Sequence, residues 1–242
     1  MGVPARVFSI SLAGCAALAL VSCDASGSGG TTGTVAGAAR EPGAARLVSA
    51  AQSSVRSASS VHVSGQLSRD GVPVSVNLNV TRDGDLAGTV RQAGTALAVI
   101  AADGNIYVQA TPAFLREMKV PAAACATSCG KWLEFTQAEA SNLTGDLSLQ
   151  NLLRPLSFDR AQASGQAAKL TSAGRTTVHG EPAWLLRASD GVTVAVSSSG
   201  QHYPLRSVSG GSPRQVVTYS RWNSAPVPRP PAASQLLNLN GG

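Results

Sequence analysis

From residue 60 onward the sequence alternates apolar and polar residues in short runs, as an antiparallel β-sheet with one buried face requires. In residues 72–81, for example, Val or Leu side chains alternate with Pro, Ser, Asn and Thr. Asp-Gly pairs separate such runs, because glycine and a few polar residues accept the positive φ of tight hairpin turns. These pairs stand at 70–71, 83–84, 103–104 and 190–191. The pattern therefore predicts a meander of hairpins.

The runs predict roughly ten or eleven strands. They cover residues 61–68, 72–80, 86–91, 96–101 and 105–110 in the first half of the chain, and 167–171, 175–179, 183–188, 192–197, 203–209 and 215–222 in the second half. A sheet of this size with one apolar face curls, because twist accumulates from strand to strand.

Four segments follow a helical pattern instead. In residues 44–55, Leu47, Val48, Ala51 and Val55 recur near helical spacing, which indicates a short amphipathic helix. The other three are 112–118, which opens with Pro112; 137–143, which follows a capping box of Thr136 and Glu139; and 147–153, which stops before Pro155. The sequence thus predicts an α+β fold, a curved antiparallel half-barrel with helices that cover its concave face.

The first residues have the order of a bacterial lipoprotein signal peptide. Arg6 precedes a mostly apolar stretch at 7–21, and Ser22 comes just before Cys23. About 15 apolar residues fall short of the roughly 20 that a spanning helix needs, which argues against a transmembrane anchor. Cleavage without lipidation would leave an odd free thiol at the mature N-terminus. We therefore expect residues 1–22 to be removed and Cys23 to anchor the chain by a lipid at the outer face of the cell membrane.

Composition divides the mature chain into three parts. Residues 23–43 are mainly Gly, Ser, Thr and Ala, so they predict a lipidated, disordered tether. Residues 44–225 contain the predicted helices and strands, and they fit one domain of ordinary size. Residues 226–242 begin with a Pro-rich run, and we expect extended or disordered chain there.

The four cysteines divide between the signal segment and a short loop. Cys15 leaves with the signal peptide and Cys23 takes the lipid, so Cys125 and Cys129 remain. In an oxidising compartment, two cysteines at this spacing predict a small-loop disulfide. A metal site is the alternative, but it needs two further ligands, and the histidines stand alone in the sequence.

Charge and motifs argue against nucleic-acid binding and catalysis. The 19 Lys+Arg of the precursor become 18 without Arg6, against 13 Asp+Glu, and the basic residues are scattered without interleaved aromatic residues. A diffuse attraction to anionic headgroups stays open. The sequence has no Gly-x-Ser-x-Gly elbow, no His-Glu-x-x-His motif, and no Ser-x-x-Lys with its partner motifs. We therefore expect no enzyme activity, no cofactor and no bound metal.

Taken together, several features resemble the LolA-like lipoproteins of actinobacteria, the LppX/LprG/LprA/LprF group. They are the lipobox and tether, a first helix that ends in the run 57–63, long meander strands, a central helical insertion, and Tyr-Pro-Leu-Arg at 203–206. The resemblance implies a half-barrel with helices over its concave face, enclosing an apolar cavity that binds acylated lipids for transfer to or from the membrane surface. The cysteine loop at 125–129 departs from the mycobacterial pattern, so the resemblance does not identify the lipid.

The predicted cavity lies between the apolar face of the sheet and the Leu-rich helical segment. Its predicted lining residues are Val74, Val76, Leu78, Val80, Leu143, Leu147, Leu152 and Phe158. The ligand that we expect there is a hydrophobic or acylated lipid. Because the same residues would equally form a filled core, the alternative is a non-catalytic interaction module that binds other envelope proteins and has no ligand cavity.

Overall fold

The structure, a computed structural model, describes residues 42–69, 72–136, 153, 170–209, 211 and 214–237. Its helices are α1 (Ala44–Ser57), α2 (Pro112–Glu117) and α3 (Cys125–Ser128). Its strands are β1 (Ser60–Arg69), β2 (Val72–Thr81), β3 (Leu86–Gln92), β4 (Thr95–Ala102), β5 (Asn105–Gln109), β6 (Trp132–Thr136), β7 (Thr171–Val178), β8 (Glu181–Arg187), β9 (Thr193–Ser197), β10 (Pro204–Val208) and β11 (Val216–Ser220). Short 3-10 turns cover Ala122–Ala124 and Ala233–Gln235.

Helix α1 has the amphipathic pattern that the sequence predicts. Leu47 and Ala51, one turn apart, are buried, whereas Arg46 is exposed. The helix ends at Ser57 because Ala58 takes an extended conformation, with φ −64° and ψ 136°. The chain then enters β1 almost at once, so α1 is held close to the start of the sheet.

All the described strands form one open antiparallel sheet. Their order is β6-β5-β4-β3-β2-β1-β11-β10-β9-β8-β7. The two halves are antiparallel meanders, with α2 and α3 in the connection between β5 and β6, and they join where β1 pairs with β11. The sheet is not closed, because β6 and β7 stand at opposite edges. The prediction of an α+β fold built on one large curved antiparallel sheet is confirmed.

The strand register places most of the large apolar strand residues on one face, which we call the inner face. Val63 of β1 lies opposite Leu78 of β2 on one side and opposite Tyr219 of β11 on the other. Leu47 of α1 and Phe114 of α2 belong to the same buried cluster as these residues. Both helices therefore pack on the inner face, as expected for helices that cover the concave side.

The sequence predicts two strands in this region, at 167–171 and 175–179, and residues 167–169 of the first lie outside the described residues. The described strand, β7, continues from Thr171 to Val178 without a turn, and its pairing with β8 shifts register between Ser172 and Arg175. Gly174 adopts a φ of +91° inside this irregularity. The alternation therefore breaks at a β-bulge and not at a turn, because the extra residue reverses the direction of the side chains that follow.

Helix α2 and the cysteine loop agree with the sequence prediction. Thr111 Oγ1 accepts a hydrogen bond from Phe114 N at 3.1 Å, and Pro112 occupies the start of the helix. Cys125 and Cys129 are joined by a disulfide, with Cα atoms 4.7 Å apart, which confirms the predicted bond. Both half-cystines pack against the main core cluster.

Two predicted helices, at 137–143 and 147–153, lie outside the described residues apart from Leu153. Leu153 is partly buried and packs against the main core cluster. The signal peptide, Cys23 and the tether up to residue 41 also lie outside the described residues. Within the ranges that the structure does describe, no helix is both long and apolar enough to cross a membrane.

After β11 the chain returns to the far edge of the sheet. We call residues 221–237 the C-terminal strap. Leu236 forms a parallel bridge with Trp132 at the start of β6, and Leu237 N donates to Trp132 O at 2.8 Å. The sequence predicts extended or disordered chain from Pro226, and the structure describes extended chain that ends on the β6 edge.

Candidate functional site

Strand β2 carries half of the predicted lining residues, and all of them point to the inner face. Val74 and Val76 are 6% and 4% exposed, and Leu78 and Val80 are both 0% exposed. Among their paired neighbours on β1 and β3, Val61, Val63 and Leu86 belong to the buried cluster, and Leu67 and Val90 pack against it. The structure thus brings these residues together within the inner face, and their contact with a ligand stays a prediction.

The other predicted lining residues are Leu143, Leu147, Leu152 and Phe158, and all of them lie outside the described residues. Leu153 belongs to the same segment and packs against the cluster that contains the β2 residues.

The inner face is covered unequally at the two ends of the sheet. We call these the Gly84 end and the Gly94 end, after glycines in the β2–β3 and β3–β4 turns. At the Gly84 end, Val80 and Leu86 are 0% and 6% exposed. Toward the Gly94 end, the inner residues of β1, β3 and β4 are only half-buried. They are Leu67, Val90 and Leu97. On β1 and β3 the inner face is therefore less covered at the Gly94 end, whereas β2 and β4 show no such difference, because Val74 is buried and Ala101 is half-buried.

The two longer helices stand at different ends of the sheet. At the Gly94 end, Phe114 of α2 is buried in the core, and Glu117 Oε1 accepts a hydrogen bond from Thr95 Oγ1 of β4 at 2.7 Å. At the Gly84 end, the Ser54 hydroxyl of α1 donates to the carbonyl of Gln201 in the β9–β10 connection. The inner face thus lies between two anchored helices, and α2 borders its less covered end.

Two buried aromatic residues that the sequence analysis did not single out make polar or charged contacts. Tyr219 is 1% exposed, and its hydroxyl bonds with the Ser207 side chain. Burial raises the pKa of the Tyr219 hydroxyl well above its usual value, so the group stays neutral. Near the β7 edge, Arg175 Cζ lies 4.5 Å from the centre of the Trp184 ring. The pairing of the strands shows which residues these two side chains contact. The alternation of apolar and polar residues does not show it for Arg175, because Arg175 follows the bulge in β7.

The histidines have structural contacts. His62 Nδ1 lies 2.8 Å from Asn79 Oδ1 on the outer face, which agrees with its predicted place on the polar side of β1. His202 Nδ1 lies 2.9 Å from Ser197 O, and His179 adopts positive φ in the β7–β8 turn. Among the residues that the structure describes, no group of three or more His, Cys, Asp or Glu side chains could hold a metal ion.

The Tyr-Pro motif that starts at Tyr203 anchors a cluster at the Gly84 end. The Tyr203 ring stacks on Trp222 with centroids 4.8 Å apart and planes at 8°. The Tyr203 hydroxyl donates to Gln201 Oε1 and accepts from Asn223 Nδ2, both at 2.6 Å. Asn223 Oδ1 accepts from Ser59 N at 2.7 Å. This cluster ties β10 and the start of the C-terminal strap to the beginning of β1, so the motif has a structural role.

Comparison with known proteins supports the fold. No protein-family model matches the chain, and no curated protein matches it. LprF from Mycobacterium bovis superposes with a TM-score of 0.54 at 15% identity, over 78% of this chain and 97% of LprF. The lipoprotein LppX from Mycobacterium tuberculosis superposes with a TM-score of 0.46 at 14% identity, over 76% of this chain and 97% of LppX.

At such low identities a structural likeness shows the fold alone. We rely on the superposition on LprF, because its TM-score is above 0.5. It covers 78% of this chain and nearly the whole of LprF. The chain therefore has the fold of LprF.

Proposed function

We propose that this chain is a lipid-anchored carrier on the outer face of the cell membrane, which holds an acylated lipid between the inner face and the segment 143–158. The observation that carries the proposal is the unequal cover of the inner face. On β1 and β3, Val61 and Leu86 are buried at the Gly84 end, whereas Leu67 and Val90 are half-buried at the Gly94 end. A one-sided apolar sheet that is open at one end suits a flexible acyl chain.

The energetics allow such a carrier to work without a charged anchor for its ligand. Burial of one acyl chain of about 15 methylenes contributes at most roughly 12 kcal/mol, at about 0.8 kcal/mol per methylene. Association and chain ordering then cost several kcal/mol. Micromolar or tighter binding follows, and discrimination among lipids with similar tails should be loose, because methylene contacts discriminate weakly.

The proposal assigns no catalytic role to the site. The described part of the inner face is walled mainly by Val, Leu and Ile, and its Tyr219 hydroxyl is neutral and bonded to Ser207. Such a surface can hold and release an acyl chain, but it offers no activated nucleophile. The sequence resemblance to the LolA-like lipoproteins points to the same class of function.

Native mass spectrometry of protein extracted from its own membrane tests the carrier. We expect lipid to co-purify with the wild type and to be lost from Val76→Trp, which fills the inner face. Asn77→Trp is the matched control, because Asn77 is the next residue of β2 but is exposed on the outer face. Val90→Trp is a gentler second variant at a half-buried inner position, and exposed Thr89 provides its control as Thr89→Trp.

Thermal unfolding of each variant separates loss of ligand from loss of fold. A folded Val90→Trp protein that retains as much lipid as Thr89→Trp would contradict the carrier. A wild type that is extracted empty and also takes up no added phospholipid would favour the interaction module.

A further inference from the structure

Charged side chains are distributed unequally between the two ends of the sheet. The acidic residues at the Gly84 end lie in the β2–β3 and β4–β5 turns and at the start of β8. They are Asp83, Asp85, Asp103 and Glu181. The exposed basic residues at the Gly94 end lie on β3, on and after α2, on β8 and before β11. They are Arg91, Arg116, Lys119, Arg187 and Arg214.

The Gly84 end also has arginines, but there they are mixed with the acidic residues. Arg82 stands next to Asp83, and its guanidinium donates to Ala58 O at 2.7 and 2.9 Å. Arg56 and Arg221 are exposed at the same end. The charge of the Gly84 end is therefore mixed, whereas that of the Gly94 end is mainly positive.

The register confirms that the basic residues of the Gly94 end share one end of the sheet. Paired positions connect Arg91 to Arg187 through Ser75, Gln66, Val216, Val208 and Thr193. Two acidic residues, Glu117 and Asp190, are described at this end against the five basic ones, so the balance there stays positive. Glu117 accepts the hydrogen bond from Thr95, and Asp190 Oδ1 accepts one from Val192 N at 3.1 Å.

Large apolar side chains are exposed at the same end. Val72 at the start of β2 is 39% exposed, and Met118 directly after α2 is 49% exposed. Pro121, Ala122 and Ala123 follow as an exposed apolar stretch. Residues 118–131 contain two lysines and no acidic residue.

These apolar residues lie near one another and near the half-buried part of the inner face. Thr95 is paired through Gln92 with Val74, two residues after Val72, so Val72 lies about 12 Å from Thr95 at the usual strand spacing and rise. Thr95 bonds to Glu117, the neighbour of Met118 in the chain. The disulfide of Cys125 with Cys129 holds the following loop against the core. We call Val72, Arg116, Met118, Lys119 and 121–123 the rim.

We propose that the rim is a membrane-docking surface for a bilayer with anionic headgroups. Met118 and Val72 enter the interface between headgroups and acyl chains, while Arg116 and Lys119 contact lipid phosphates. The Gly84 end, with its acidic turns, then faces away from the bilayer. This orientation places the half-buried Leu67, Val90 and Leu97 of the inner face toward the membrane, although the docking itself does not depend on a bound ligand.

The charge pattern favours a bilayer over a protein partner as the occupant. Basic side chains surround a small exposed apolar surface, and this combination is typical of proteins that dock at an anionic lipid interface. The surface is also too small and too interrupted by charge to resemble the buried centre of a stable protein interface.

Vesicle co-sedimentation tests the proposal with the mature chain from residue 24, which carries no acyl anchor and retains every residue that the structure describes. The vesicles contain phosphatidylglycerol and phosphatidylcholine in equal parts, or phosphatidylcholine alone. We expect binding to the anionic vesicles, weaker binding at high salt, and little binding to phosphatidylcholine alone.

Paired variants locate the surface. Val72→Ser with Met118→Ser should weaken binding about tenfold, because two apolar side chains no longer enter the interface. Lys119→Glu should weaken it about fivefold or more, since a basic residue near an anionic surface is worth about that factor. The controls are Val227→Ser, an exposed valine of the C-terminal strap, and Arg221→Glu, an exposed arginine at the Gly84 end.

Equal losses in the rim variants and in the controls would overturn the proposal, because attraction would then come from net charge alone. Rim variants that bind like wild type, or a mature chain that ignores anionic vesicles at low salt, would also overturn it and would favour a protein partner. Thermal unfolding confirms that each variant is folded. The carrier is tested separately by its co-purified lipid, so either proposal can fail without the other.

Discussion

At the scale of single residues, Gly88 controls how closely β2 and β3 approach. It lies within β3 with a φ of +151°, and a Cβ placed on it would overlap the carbonyl oxygen of Asn77. Gly65 on β1 has the same relation to the carbonyl oxygen of Val216. Neither contact involves a flexible side chain that could move away, so an added methyl group must displace backbone of the neighbouring strand.

Gly88→Ala should therefore lower the free energy of unfolding by at least about 2 kcal/mol. Gly94→Ala is the matched control, because Gly94 has a φ of +86° but a Cβ added there would meet no atom within 4 Å. It should cost only about 1 kcal/mol, the usual penalty for alanine with positive φ. Thermal unfolding measures both, and equal shifts would contradict the crowding at Gly88.

Tyr219 predicts a loss of stability in alkaline solution. Its pKa is raised by burial in the folded state, so above about pH 10 the unfolded chain releases the proton while the folded chain keeps it. The contribution of this group is fully present below about pH 10 and is lost as the pH rises, by about 1.4 kcal/mol per pH unit. The difference between wild type and Tyr219→Phe in denaturant unfolding, measured from pH 8 upward, isolates the contribution. Parallel curves for the two proteins would contradict it.

At the scale of elements, the cysteine loop is a local constraint. Its disulfide closes a short loop, so Cys125→Ser with Cys129→Ser should lower the free energy of unfolding by only about 2 kcal/mol. Intact mass with and without reductant should differ by the two hydrogens of one bridge. Lys119→Glu is the control, because it changes a residue shortly before the loop but keeps both cysteines, so it should show the same mass difference as the wild type. Alkylation of both cysteines in the unreduced native protein would contradict the bond.

The end of the C-terminal strap protects the β6 edge. A chain that stops after Ala232 loses the Leu236 bridge and the bond from Leu237 N to Trp132 O. It should unfold at a lower temperature and self-associate through the freed edge, because unpaired strand edges recruit other strands. A chain that stops after Leu237 is the control and should behave like wild type. Sedimentation velocity and thermal unfolding measure both effects, and identical behaviour of the two chains would show that the strap is dispensable.

The sequence predicts elements well where the signal is local. Alternation and Asp-Gly turns place β2 to β5 within a residue or two of their observed bounds. The predicted break between residues 171 and 175 is wrong, because Gly174 supports a bulge within β7 there. The strap could not be predicted either, because its partner Trp132 is about a hundred residues away and the Pro-rich tail has no periodicity.

At the scale of the molecule, half of the candidate site follows from the sequence. Alternation is enough to put Val74, Val76, Leu78 and Val80 on one face, whereas Tyr219 comes to that face only through pairing of β11 with β1. The unequal cover of the inner face depends on where the helices pack, and a one-dimensional pattern does not contain that information.

The membrane anchor is a whole-molecule prediction that follows from the sequence. Protein isolated from the membrane of its host should have the mass of residues 23–242 plus the acyl groups on Cys23. Cys23→Ala should lack that mass and leave the membrane fraction, whereas Cys125→Ala, which affects a cysteine within the domain, should keep both. Equal membrane retention of the two variants would place the anchor elsewhere.

The pairing of β1 with β11 has a consequence for the order of events during synthesis. The central ladder joins Gly65 to Val217, so the sheet cannot be completed until nearly the entire chain has been made. Until then, β1 is an unpaired edge of a partly formed sheet, and helix α1 lacks part of the surface on which it packs. Contacts of such long sequence separation make folding slow. We therefore expect β1 to remain an unpaired edge until β11 becomes available, and an unpaired edge of this kind favours aggregation.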